Sequence, residues 1–205
     1  MTRTLLALAA AATLIAAPTL AQAAPAQAAP AQVAPTQAAK SPHVVDTSFS
    51  TGDGQRTLQE SVVIDAPVAV LWKAFVDTEE FKRWNSPIAA IDLRVGGSLE
   101  ASYDPKHPLG DPNNIRHKII TFLPDRLIVF QNVNAPRELP GADRFQRTVI
   151  VLQYEPISAT RTKVMLSVTG WASDAPSNRL YEFFRVDNAE LLEKMKTVYE
   201  APATR

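Results

Sequence analysis

Between Gln55 and Glu200 apolar residues fall into alternating and clustered runs, the texture of a folded domain. Leu58 to Ile64 reads as a strand. Asp65-Ala66-Pro67 then marks a helix start, with Asp65 placed to cap and Pro67 early enough that its missing N–H costs nothing. That helix covers Val68 to Val76, and a second short one starts at Thr78 and ends near Trp84, since Pro87 prevents its continuation. Ile88 to Leu93 and Ser98 to Tyr103 are short strands, joined as a hairpin by Gly96-Gly97. Asp104 to Asn114 holds three prolines and a glycine and reads as an irregular loop. Ile115 to Phe122 and Leu127 to Asn132 form a second hairpin around Pro124-Asp125. After a loop from Ala135 to Asp143, two β-branched strands, Thr148 to Glu155 and Lys163 to Trp171, are joined across Pro156 to Arg161. Ala175 to Glu200 is helical, because Leu180, Phe184, Leu191, Met195 and Val198 recur at spacings of three, four and seven. The sum is an α+β domain, an antiparallel sheet with its helices on one side.

The residues before Gln55 have a different character. Arg3 gives a short positive start, Leu5 to Ala17 is uncharged and apolar, and Ala21-Gln22-Ala23 is a small-x-small cleavage signature, so residues 1–23 read as a Sec-type signal peptide. The apolar run is well short of the roughly 20 residues that span a bilayer, and Pro18 closes it. A five-residue period then ends in Pro25, Pro30 and Pro35; residues 24–54 read as an Ala/Pro/Gln-rich disordered linker, too poor in apolar bulk to build a core. The domain spans residues 55–200, with 201–205 a short tail. The expected location is periplasmic or secreted.

Composition narrows the function classes. With 21 basic and 21 acidic residues the formal charge is zero and no block of like charge stands out, which argues against a nucleic-acid surface. Cysteine is absent, excluding disulfides, thiolate metal sites, a cysteine nucleophile and a lipid-modified cysteine. After removal of the signal no integral membrane segment is expected.

Five segments carry a resemblance: Ile64-Asp65-Ala66-Pro67 followed by Leu71-Trp72, Phe81 to Trp84, Asp92-Leu93-Arg94-Val95-Gly96-Gly97, Phe122-Leu123-Pro124 and Gly170-Trp171. In combination and in this order of elements the chain resembles the Hsp90-ATPase-activator-homologue branch of the START-like (SRPBCC) superfamily over roughly Gln55 to Glu200. The C-terminal helix departs from that branch's pattern, in which a Gly-Trp pair often precedes a Leu-rich stretch; here Asp187-Asn188 sits nearby. The resemblance implies a helix-grip fold, a curved sheet gripping the C-terminal helix around an apolar cavity. It implies no reaction, because the superfamily includes lipid carriers, hormone-binding proteins, aromatic cyclases and chaperone regulators.

Candidate ligand-binding residues are therefore the large rings at element ends and on the long helix: Trp84, Tyr103, Phe130, Trp171 and Phe184, with Phe184 foremost because the helix forms one cavity wall in this fold. His107 lies three residues from Asp104 and four from Asp111, but prolines on both sides make an open loop and not one helical face, so it reads as a solvated loop beside the cavity mouth. His117, between Arg116 and Lys118, reads as an exposed residue at a strand start, and His43 falls in the linker. Glu155, Arg144 and Arg147 flank one strand and read as surface ion pairs. No nucleophile elbow, phosphate-cradling loop or paired carboxylates appear, so neither a catalytic residue, a metal site nor a cofactor is assigned. Three readings compete: a binding protein for a small hydrophobic molecule, a cyclase- or hydrolase-type enzyme acting on such a molecule, and a protein-interaction role like that of chaperone regulators. An ionisable group facing the cavity would favour the second.

Overall fold

The computed structural model describes residues 41–200; the expected signal peptide at 1–23, residues 24–40 of the expected linker and the tail at 201–205 lie outside the described residues. Within them the chain runs β1 (Val45–Asp46), β2 (Phe49–Ser50), β3 (Arg56–Ile64), α1 (Val68–Val76), α2 (Thr78–Trp84), β4 (Ile88–Ile91), β5 (Ser98–Ser102), β6 (Ile115–Leu123), β7 (Leu127–Asn134), α3 (Ala142–Phe145), β8 (Val149–Ser158), β9 (Arg161–Trp171) and α4 (Ala175–Glu200). The strands form one open antiparallel sheet in the order β1-β3-β9-β8-β7-β6-β5-β4, with β2 also on β3. The first long strand therefore pairs with the last, Val62 opposite Val164, while β4 to β9 form a meander. Helix α4 packs against β3, β9 and α2.

Several local readings change. The segment before Gln55 is not all linker: Val45 pairs with Ser61 and Phe49 with Thr57. His43 Nδ1 lies 2.6 Å from Glu193 Oε1 on α4, and Val44 packs against the main core. Backbone groups along the outer edge of β3 need partners, and this stretch supplies them. Asp65 does not cap α1, whose N-cap is Pro67 in extended conformation. The Asp65 carboxylate lies 3.2 Å from Arg161 instead. The side chain that caps is Asp77, accepting from the backbone N–H of Glu79 and of Glu80, each at 3.0 Å, to start α2. Strand β8 continues through Pro156 to Ser158, beyond the last β7 partner, Gln153, where a missing N–H leaves no ladder bond to β7 unmade. Finally, α3 interrupts what the sequence shows as loop.

The β4–β5 connection uses its two glycines differently. Gly96 has φ +79°, a conformation an L side chain rarely adopts, whereas a Cβ on Gly97 would stand 2.1 Å from the Asp92 carbonyl oxygen. Gly96 N–H donates to Ile119 O at 2.8 Å and Gly97 O accepts from Ile119 N–H at 2.9 Å, so the turn is stitched onto β6.

The buried apolar residues form two clusters. The larger joins α1, α2 and the sheet to the C-terminal half of α4 through Leu192 and Met195. The smaller gathers Leu58, Phe145, Val168, Trp171, Leu180 and Tyr181 around the N-terminal half of α4. Full burial of each large apolar side chain contributes about 1.5–3 kcal/mol, so both halves of the helix are held firmly. Between them, at residues 187 and 188, the apolar stripe of α4 is polar. That break is where the cavity lies.

Candidate functional site

A cavity of about 300 Å³ opens between the concave face of the sheet and the middle of α4, at the small end of the range for small-molecule sites. Its sheet wall consists of inward-facing residues on alternate positions: Leu99 and Ala101 on β5, Ile115 and His117 on β6, Phe130 on β7, and Leu166 and Val168 on β9. Phe75 and Phe81 close one end from α1 and α2, and Phe145 from α3 closes the other. Helix α4 contributes Phe184, Asp187, Asn188 and Leu191, neighbouring positions along one side of the helix, with Asn188 buried and Asp187 exposed at the rim. The apolar clusters thus supply the walls, and the gap between them supplies the room.

Five polar side chains reach this lining: Asn85, Tyr103, His117, Asp187 and Asn188. Tyr103 stands at the mouth, 60% exposed, and its hydroxyl donates to Asn85 Oδ1 at 3.0 Å. Burial of that hydroxyl end, with a smaller contribution from the Asp187 carboxylate, pushes the phenol up to about 12. Burial, and then the neighbouring Glu190, raises the Asp187 carboxyl above its ordinary value. His117 is half-buried, but its Nδ1 is sealed without a hydrogen-bond partner, and burial pulls the imidazole down to about 4. Asn188 is 7% exposed, and its Nδ2 is likewise buried without a partner. Among the described residues no lysine or arginine lines the cavity.

The five ring candidates separate into two groups. Tyr103, Phe130 and Phe184 line the cavity. Phe184 stacks on Phe145 with centroids 4.4 Å apart, and Phe130 lies 5.8 Å from Phe75. Trp84 does not reach the lining: it is buried in the larger cluster, its Nε1–H donating to Ala74 O at 2.7 Å. Trp171 is also displaced from the lining, fully buried behind Phe145 and Phe184 and edge-on to Tyr181 at 6.0 Å. Both are structural supports of the walls.

The reading of His117 as an exposed strand-start residue is corrected. Its side chain shares the inward face of β6 with Ile115 and Ile119 and packs 6.0 Å from Phe130 and 6.1 Å from Phe145. The alternation Ile115, His117, Ile119 carries that information, masked by the charged neighbours Arg116 and Lys118. The Asp187-Asn188 departure in α4, legible as an interruption of the 180, 184, 191, 195 stripe, likewise falls on the lining.

His107 sits outside, in an adjoining groove that shares Ala101, Tyr103, Ile115 and Pro136 with the cavity. Its Nδ1 lies 3.2 Å from Asp111 and its Nε2 3.7 Å from Asp104. Among the described residues no group of three or more His, Asp or Glu side chains converges as a metal site. Below this groove Glu100 accepts from Gly110 N–H at 2.6 Å and Asn114 Nδ2 at 2.7 Å and meets Arg116 at 3.3 Å. Burial pushes the Glu100 carboxyl up, but these donors outweigh it and hold it below its usual value. They pin the 104–114 loop beside the mouth. Arg144 pairs with Asp174 at 3.4 Å, Arg147 with Asp143 at 4.0 Å and Lys163 with Glu155 at 3.8 Å, all away from the lining.

A curved, open antiparallel sheet closed by one long C-terminal helix, with a cavity between them, defines a helix-grip protein of the START-like class. The family described as "Activator of Hsp90 ATPase homolog 1-like protein" matches residues 65–200, and the chain belongs to that family. Solved structures share the fold at low identity. The Aha1 dimer from Colwellia psychrerythraea superimposes with a TM-score of 0.52 at 15% identity, covering 71% of this chain and 96% of that one. CalU16 from Micromonospora echinospora gives 0.55 at 18%, covering 78% and 87%. A conserved protein of unknown function from Enterococcus faecalis gives 0.56 at 13%, covering 82% and 84%. Comparison with curated proteins finds no match. Family and fold support a ligand-binding or regulator-type domain. Among the described residues no helix is long and apolar enough to cross a membrane.

Proposed function

We propose that this protein is exported and binds a small hydrophobic molecule between its sheet and α4. The observation that carries the reading is the cavity itself: about 300 Å³ of room walled by Phe75, Phe81, Phe130, Phe145, Phe184 and aliphatic neighbours, between the two apolar clusters. Packed interiors leave few voids larger than a water molecule, so a cavity of this size lined by rings is a cost to stability that an occupant would offset. The leader-like residues 1–23 support delivery outside the cytoplasm.

A fluorescent apolar probe, N-phenyl-1-naphthylamine, should bind wild-type protein at one saturable site with increased emission. Ala101→Phe, which fills the cavity from β5, should abolish that signal while the protein stays folded by circular dichroism. A wild-type protein that gives no saturable signal, or an Ala101→Phe variant that binds equally, would overturn the reading. Export is tested by the mass of the protein recovered from the periplasm: cleavage after Ala23 is expected, and a full-length intracellular chain would contradict it.

The catalytic reading has one observation in its favour, the presence of His117 and Asp187 on the same lining. Among the described residues His117 Nδ1 has no hydrogen-bond partner, so no group there orients the imidazole as a general base. Binding remains the better-supported activity.

A further inference from the structure

The mouth of the cavity carries charge of one sign. Asp187 belongs to the lining and is exposed at its rim, three residues after Phe184 and four before Leu191, so the helix sets its carboxylate between two apolar wall residues. Among the described residues no lysine or arginine stands on the lining to neutralise it. The neighbouring charge that acts on it is Glu190, a second acid. Basic side chains close by on α4 have other partners: Arg185 donates to Glu182 at 2.8 Å, and Lys194 reaches the Asn85 carbonyl at 3.4 Å. The adjoining groove, which shares Tyr103 with the cavity, adds Asp104 and Glu138 beside His107. Resting on the binding reading above, we infer that the ligand is an organic amine, protonated at neutral pH, whose apolar body fills the cavity while its ammonium group sits at the rim against Asp187 and the Tyr103 ring.

The chemistry separates the three kinds of hydrophobic cargo. An apolar body seated in the cavity displaces water from the carboxylate at its lip, which disfavours the charged form unless an opposite charge arrives with the ligand. An ammonium group supplies that charge and donates hydrogen bonds to the carboxylate. A neutral ligand leaves Asp187 without compensation, and a carboxylate ligand brings like charge to a site with no cation to hold it. Ring faces act in the same direction. Tyr103 is 60% and Phe183 51% exposed, both on the lining, and a cation over such a face is attracted by its quadrupole. Elsewhere the protein's own cations take up exposed tyrosine faces, Arg56 over Tyr181 at 4.4 Å and Arg83 over Tyr199 at 5.0 Å; among the described residues no such pair forms on Tyr103 or Phe183. Because the walls deeper in are aliphatic and phenyl groups, the charge belongs at one end of the ligand and not in its middle.

The test uses three probes with one ring body and a one-carbon arm, 2-naphthylmethylamine, 2-naphthylmethanol and 2-naphthoate, titrated calorimetrically into the mature protein at neutral pH and low salt. The amine should bind about tenfold tighter than the alcohol, the combined effect of an exposed ion pair and a cation–π contact, and the naphthoate should be weakest. Asp187→Asn removes the charge at an exposed position without changing the size of the side chain. It should cut the amine-to-alcohol ratio at least threefold while the alcohol's own affinity stays within about twofold, whereas Glu155→Gln, the same change of charge away from the cavity, should leave the ratio as in wild type. Equal binding of amine and alcohol, tightest binding of naphthoate, a ratio unchanged by Asp187→Asn, or one lowered equally by Glu155→Gln would overturn the amine assignment and leave the cavity reading standing. Failure of all three probes to bind would remove the binding reading and the assignment with it.

Discussion

Replacing His117 with glutamine removes a titrating group from the cavity wall and should flatten the acid limb of the protein's stability curve. In the folded protein the imidazole is pulled down to about 4 by burial, against an ordinary value of 6.5. As pH falls below 6.5 the unfolded chain takes up a proton at this residue and the folded chain does not, so protonation drains the folded state. The stability is therefore fully present above pH 6.5 and lost as pH falls from 6.5 to about 4, below which both states are protonated and the loss is complete. At about 1.4 kcal/mol per pH unit the whole interval is worth about 3 kcal/mol, of which about 2 is gone between pH 7 and pH 5. Other groups act in the same experiment. The carboxyls of Glu100, Asp111 and Glu200 are held below their usual values, so their contribution is lost at lower pH, while the raised carboxyl of Asp187 works in the opposite direction. Subtracting the His117→Gln curve from wild type cancels these to the extent that they do not sense residue 117. Urea unfolding at pH 7, 6, 5 and 4.5, with equal m-values in both proteins, gives the difference. Wild type should lose about 2 kcal/mol more than the variant between pH 7 and pH 5. Parallel curves would show that His117 is solvated and freely titrating, and the inward placement would be wrong.

Other expected outcomes divide wall from support. Phe184→Ala removes a half-buried ring stacked on Phe145; it should destabilise by about 2 kcal/mol, below the 3–5 kcal/mol of a fully buried phenylalanine, while probe affinity falls more than tenfold, and a large drop in melting temperature with unchanged binding would make Phe184 mere core. Trp84→Phe loses the 2.7 Å bond to the Ala74 carbonyl, so thermal unfolding should show a loss of about 1–3 kcal/mol with probe binding intact; weakened binding at unchanged stability would return Trp84 to the lining. Gly97→Val should prevent folding, because its Cβ would meet the Asp92 carbonyl at 2.1 Å, whereas Gly96→Ala, strained only by its positive φ, should cost about 1–3 kcal/mol; a Gly97→Val protein that melts like wild type would refute the turn's geometry.

The hydrophobic pattern carried the fold because period-two strands and a 26-residue amphipathic helix are local properties that burial then enforces. It was weaker where partners are distant in sequence. Val45 to Ser50 has no helical or long alternating pattern, and becomes strand because the edge of β3 needs pairing. Asp65 looks like a helix cap, but the chain path places Pro67 at the N-cap of α1 and turns Asp65 toward Arg161. At the site, large rings were visible but not their destinations: Trp84 and Trp171 have the same chemistry as Phe130 and Phe184, yet pack one layer behind them. The polar lining was the hardest part, since His117 hides between two cations and Asn188 looks like an ordinary surface residue until the helix is laid on the sheet.

The central claim is that the cavity holds a small molecule, and the most direct test is to produce the protein with its own leader in its native host, purify it gently, and compare its native mass with its denatured mass. The account predicts a reproducible non-covalent excess, of a size that about 300 Å³ admits, present in wild type and missing from Ala101→Phe. Equal native and denatured masses for wild type, or an excess that persists in the filled variant, would contradict it.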